Sequence, residues 1–133
     1  TGFAEEGIAA RVKSAPPPQD WISDPLRSVW LSDPLAIDCA FQLMILWSFE
    51  ERGAGSLPCS AGGFRQYRQT FPRDGVDIVI AIRKHTEHNA IADFEFRDVN
   101  GDVVATMTSY ECVIDPSLCD AFRRNQVSQQ LLP

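Results

Sequence analysis

The chain has 133 residues, with 12 Lys and Arg against 18 Asp and Glu, for a formal net charge of −6. That length suits one domain with a real core. A negative balance without any Lys/Arg cluster argues against nucleic-acid binding, which needs clustered cations for phosphate contacts. No long apolar run at the N-terminus reads as a signal peptide, and the longest apolar stretch is too short and too flanked by charge to span a membrane.

In chain order, Gly7 to Lys13 has the β-branched and apolar character of a first strand. Ser14 to Gln19 carries three successive prolines and reads as an extended connector. Asp20 to Leu31 holds Trp21, Ile22, Leu26, Val29 and Trp30 in an irregular segment expected to lie over the core, with Pro25 interrupting any long helix. A helix then opens at Asp33, whose carboxylate is a good N-cap, with Pro34 at the first helical position; Gly53 and Gly55 mark its end. Between those limits Leu35, Ile37, Phe41, Leu43, Ile45 and Trp47 place apolar side chains all round. A helix without a polar face must be wrapped by the rest of the fold.

Ala54 to Gly63 reads as a loop rich in Gly, Ser and Pro. Four strand-like runs follow. Phe64 to Phe71 is closed by the turn Pro72-Arg73-Asp74-Gly75, and Val76 to Lys84 alternates Val76, Ile78, Ile80 and Ile82 onto one face. Asn89 to Asp98 sets Ala92, Phe94 and Phe96 opposite Asp93, Glu95 and Arg97, and Asn100-Gly101 is a hairpin signal leading into Asp102 to Ile114. Asp115-Pro116-Ser117 starts a short helix through Arg124, and the polar tail 125–133 reads as disordered. The order is one strand, a long buried helix and four antiparallel strands. It predicts an α+β hot-dog fold over residues 1–124, with a sheet of about five strands curled around the helix.

Only Asp38 and Gln42 break the apolar helix, and a spacing of four puts them on one face. A carboxylate there is costly to bury unless paired, metal-bound or protonated, which makes Asp38 the first functional candidate. The plainer alternative is a structural carboxylate capping a neighbouring loop, with Gln42 a buried amide satisfying backbone groups. His85 and His88 lie in the polar connection Arg83 to Asn89 and read as an exposed turn; their His-x-x-His spacing lacks a third ligand for zinc. Cys39, Cys59, Cys112 and Cys119 include no CxxC pair and read as reduced thiols of a cytoplasmic protein. Ser60 and Ser109 sit in no nucleophile elbow.

The run Trp30-Leu-Ser-Asp-Pro-Leu-Ala-Ile-Asp38-Cys-Ala-Phe-Gln42 resembles the Asp-x-x-x-Gln/His helix motif of the second hot-dog repeat in polyketide synthase dehydratase domains. Ser56-Leu57-Pro58 followed by Phe64-Arg65-Gln66-Tyr67 resembles the Leu-Pro element and short strand after that helix, and Ala92 to Ala105 resembles the paired strands with their Asp-x-x-Gly turn. The likeness runs from about residue 5 to residue 124 and extends to polyunsaturated-fatty-acid synthases. It implies removal of water from a β-hydroxyacyl group tethered to the phosphopantetheine of an acyl carrier protein, with no further cofactor or metal. Asp38 would protonate the departing hydroxyl, helped by an apolar cavity that raises a carboxyl's pKa, and Gln42 would hold it in place. Leu57, Pro58 and Gly63 would border the path of the thioester, glycine leaving room for a passing chain.

The family's His-x-x-x-Gly-x-x-x-x-Pro motif has no counterpart here. The resemblance is therefore to the C-terminal half alone, with the base expected from an N-terminal hot-dog half. The opening Thr1-Gly2-Phe3 without Met is compatible with a piece of something longer. Implied partners are the carrier protein and other synthase domains, and a homodimer standing in for the missing repeat is expected in solution. Two alternatives stay open: a stand-alone hot-dog acyl thioesterase, and a non-catalytic module that binds acyl chains or holds a synthase together.

Overall fold

Asp33 starts the central helix by chemistry that its sequence dictates. One carboxylate oxygen accepts from the Ala36 N–H at 2.8 Å, Pro34 follows without a donor to satisfy, and Gly53 ends the helix at φ 65°. The computed structural model describes residues 2–124, apart from the Phe122 side chain. In it, α1 (Pro34–Arg52) lies against a single antiparallel sheet. The strands are β1 (Gly2–Ala4), β2 (Gly7–Val12), β3 (Gly55–Ser60), β4 (Gly63–Gln66), β5 (Val76–His85), β6 (Asn89–Arg97) and β7 (Val103–Asp115). They are ordered β1-β2-β5-β6-β7-β3, with β4 also paired to β7, and α2 (Ser117–Arg124) closes the described chain. This is a hot-dog fold.

The sheet has seven strands rather than about five. The extra strands are β1, which the sequence did not suggest, and β3, where a loop was expected. Pro58 lacks the N–H that a central strand needs, but β3 is an edge strand and pairs only with β7, Pro58 opposite Cys112. The run expected over Phe64 to Phe71 shortens to β4. The turns behave as their residues require: Gly75 donates its N–H to Pro72 at φ 97°, and Gly101 donates to Asp98 at φ 86°.

The inner face of β5 and β6 buries Val76, Ile78, Ile80, Ala92, Phe94 and Phe96 against Ala36, Ala40, Met44 and Trp47 of α1. On the outer face one carboxylate ties three strands together. Asp93 Oδ1 accepts from the Ser109 N–H at 2.9 Å and Oδ2 from Arg83 Nε at 2.6 Å. The Ser109 N–H, with Arg83 behind it, holds the Asp93 carboxyl below its ordinary value. The contact sits at a bulge, since Thr108 and Ser109 together oppose Asp93, and Ser109 adopts φ 52°.

Two expectations about burial are corrected. The segment 20–31 does not lie over the core: Trp21, Ile22, Val29 and Leu31 are exposed and Leu26 wholly so. Its ends are anchored instead, because Asp33 Oδ2 accepts from the Ala15 N–H at 2.8 Å and Trp30 Nε1 donates to the Pro16 carbonyl at 2.7 Å. Nor is α1 wrapped on all sides. A single sheet can cover only one side of a helix, and Asp38, Gln42, Leu46 and Phe49 form an uncovered stripe along the other. The tail expected to be disordered lies outside the described residues. Among those residues no helix is long and apolar enough to cross a membrane.

Candidate functional site

The cap at Asp33 fixes where the first turns of α1 begin, and so where the two polar residues of the helix emerge. Gln42 Nε2 donates to Asp38 Oδ2 at 2.6 Å, one helical turn apart, in the geometry that the i, i+4 spacing allows. The amide thus holds the carboxylate in one rotamer. Both side chains are exposed, so the apolar cavity expected around Asp38 is not formed among the described residues. The stripe continues in apolar form, with Leu46 52% and Phe49 38% exposed. Half-buried Cys39 lies beside Asp38; its thiol is pushed up by burial first, then by the negative charges of Asp38 and Asp33.

Behind the stripe, Phe41 reaches inward and stacks on Tyr110 at 5.6 Å between ring centroids, and Tyr110 lies 4.7 Å from Phe94. Tyr110 is buried, its hydroxyl has no hydrogen-bond partner among the described residues, and burial raises the phenol above its ordinary value. Sequence reading missed this group. The bulge at Thr108 and Ser109 shifts the alternation of β7, and a strict period of two does not reveal which side of the sheet Tyr110 takes.

Leu57 and Pro58 are exposed on β3, and Gly63 begins β4, where an added Cβ would come within 3.3 Å of Thr108 Oγ1. A Cβ at neighbouring Gly62 would come within 2.9 Å of Ser109 Cβ, so the β3–β4 connection is held close to β7. Among the described residues no hydrogen bond joins Leu57, Pro58 or Gly63 to Asp38 or Gln42.

The histidines are at the other end of the helix. His85 packs edge-on against Trp47 at 5.6 Å, contacts Arg52 and lies 3.9 Å from Glu5. His88 borders a cleft of about 280 Å³ with Glu51, Arg52 and Pro116. Asp38 and Arg52 are fourteen residues apart on α1. At 1.5 Å of rise per residue that separates them by about 21 Å. His85 itself packs on Trp47, nine residues along α1 from Asp38, so about 13 Å of helix rise separates that contact from the carboxylate. Among the described residues no group of three or more His, Cys, Asp and Glu is placed to hold a metal ion, and no two cysteines are bridged.

The profile of the family described as the polyketide synthase dehydratase N-terminal domain matches residues 4–118. Solved structures share the fold at low identity. A trans-acyltransferase polyketide synthase enoyl-isomerase superposes with a TM-score of 0.64 at 14% identity, over 82% of this chain and 41% of its own. The dehydratase domain of a mycocerosic acid synthase-like polyketide synthase gives 0.62 at 24% identity, over 86% of this chain and 38% of its own. A thioesterase from Haemophilus influenzae gives 0.63 at 11% identity, over 89% of this chain and 78% of its own. The chain thus spans less than half the length of the two synthase proteins. A comparison with curated proteins gives no match.

Proposed function

The chain belongs to the polyketide synthase dehydratase N-terminal domain family, and on that premise we propose that it is one hot-dog half of a dehydratase acting on β-hydroxyacyl groups carried by an acyl carrier protein. The observation that carries the reading is the Asp38–Gln42 pair, hydrogen-bonded and displayed on the one face of α1 that the sheet leaves open. A base on a second hot-dog unit removes the proton α to the thioester carbonyl. Asp38 gives its proton to the β-hydroxyl, which leaves as water and yields an enoyl thioester. Gln42 is a positioning residue that keeps the carboxyl aimed. Leu57, Pro58 and Gly63 border the path of the carrier-bound thioester.

The matching family is described by the N-terminal domain; we nonetheless read the chain as the C-terminal half, on the Asp-x-x-x-Gln helix and on this sequence having no His-x-x-x-Gly motif. The helix rise of about 13 Å between Asp38 and Trp47, on which His85 packs, supports a base that comes from elsewhere. The test supplies a β-hydroxyacyl thioester to this chain alone and to this chain mixed with a hot-dog unit bearing that motif. Enoyl formation and thiol release are followed together. Enoyl product should require both units and vanish in Asp38→Asn while the fold persists. Enoyl product from the chain alone would refute the half-site. Thiol release without enoyl product would favour a thioesterase, the second reading, a class whose Haemophilus influenzae member shares the fold.

A further inference from the structure

The segment between β2 and α1 contributes little to the core, yet it is built and fixed. Ile22, Leu26, Val29, Trp30 and Leu31 line an open cleft of about 490 Å³. That volume falls within the 300–1,000 Å³ typical of small-molecule sites. Exposed apolar side chains gathered in one place mark a binding surface more often than scattered ones do. The cleft is preformed: Trp30 Nε1 holds the Pro16 carbonyl, Asp33 holds the Ala15 N–H, and Trp21 packs on Trp30 at 5.9 Å. The prolines at 16, 17, 18 and 25 further restrict the backbone. Little conformational entropy remains to be lost when a ligand enters.

We propose that this cleft seats the apolar tail of the acyl chain whose reacting carbons meet Asp38, an inference that rests on the acyl-thioester reading above. Charge and position select that occupant. The two charged residues of the lining, Asp24 and Arg27, are of opposite sign, so the cleft has no net formal charge to draw an ionic ligand. Its wall ends at Leu31 and Ser32, immediately before α1. Three residues of extended chain and four of helix separate Leu31 from Asp38, which places their backbones within about 16 Å of each other. The cleft and the carboxylate therefore lie at the same end of the helix, the end away from His85.

The test titrates the full chain with N-acetylcysteamine thioesters of saturated butanoic, hexanoic, octanoic and decanoic acids, read by tryptophan emission. Trp21 and Trp30 stand at the cleft, whereas Trp47 is buried on the inner face of α1. Affinity should rise roughly twofold to fourfold per added methylene, the lower figure for a tail left partly open to water. Leu26→Asp should flatten that rise while leaving the melting temperature unchanged, since Leu26 is wholly exposed. A wild-type affinity independent of chain length would overturn the proposal, as would a rise that survives in Leu26→Asp. If sedimentation shows Leu26→Asp separating a dimer with the chain-length response intact, the cleft is a contact between copies and the proposal fails. Saturated thioesters have no hydroxyl to eliminate, so the titration is independent of the dehydration assay. Chain-length dependence without dehydration in the two-unit assay would reject the reaction and keep the cleft, and the reverse pattern would reject the cleft alone.

Discussion

Replacing Tyr110 by Phe should make the protein more stable. The ring sits between Phe41 at 5.6 Å and Phe94 at 4.7 Å and is 1% exposed, so Phe preserves the aromatic contacts. What it removes is a hydroxyl that water satisfies in the unfolded chain and no described residue satisfies in the folded one. An unmet buried donor costs about 1–3 kcal/mol, and that is the expected gain. In a chain of this size the gain corresponds to about 4 °C in melting temperature per kcal/mol. Urea unfolding should show a higher midpoint at an unchanged slope.

Alkaline pH gives a second readout. Burial raises the Tyr110 phenol, so the folded state keeps a proton that the unfolded state releases. That contribution is intact below about pH 10 and is lost as pH rises beyond it, because the unfolded phenol ionises first. The Phe variant should lack this part of the alkaline decline. A variant destabilised by about 1 kcal/mol or more would refute the reasoning and mean that the hydroxyl is held by a buried water.

Asp33→Ala should cost about 2–3 kcal/mol in urea unfolding, since it removes the N-cap and also leaves the Ala15 N–H without its acceptor. Asp33→Asn, which keeps one acceptor oxygen, should recover about half, and equal losses in both variants would contradict the two-bond account. Thiol labelling of the native protein should modify exposed Cys59 rapidly and spare Cys112, which is buried and whose thiol burial pushes up. Cys112 reacting as fast as Cys59, mapped by mass spectrometry, would show that the inner face of β7 opens in the native state.

Where local chemistry and tertiary packing agree, the sequence is a sufficient guide. Asp33-Pro34 and Gly53 bound α1 because caps are local, and the alternation of β5 and β6 survives because their inner residues meet the helix directly. β3 escaped because its Gly, Ser and Pro content is that of a loop; only its place at the sheet edge makes Pro58 tolerable. The apolar residues of segment 20–31 carry no periodicity that distinguishes a core cover from an open cleft. The i, i+4 relation of Asp38 and Gln42 was legible, and so was their shared face. Their exposure was not, because an all-apolar helix reads the same whether its last face meets this sheet or another body.

The strand order also sets a sequence of events in time. β5, β6 and β7 are consecutive and join through short turns, whereas β2 reaches β5 only after the chain between residues 12 and 76, including all of α1, has been closed into a loop. Closing entropy grows with the logarithm of loop length, and hairpins form within microseconds. The meander β5–β6–β7 is therefore the platform on which α1 condenses, with β2 and β3 docking last. Pulse-labelled refolding should protect its amides first, and early protection in β2 would reverse that order. Until both flanking strands dock, the apolar face of α1 is exposed on more than the final stripe, so the slow step of folding is also the one most open to association between chains.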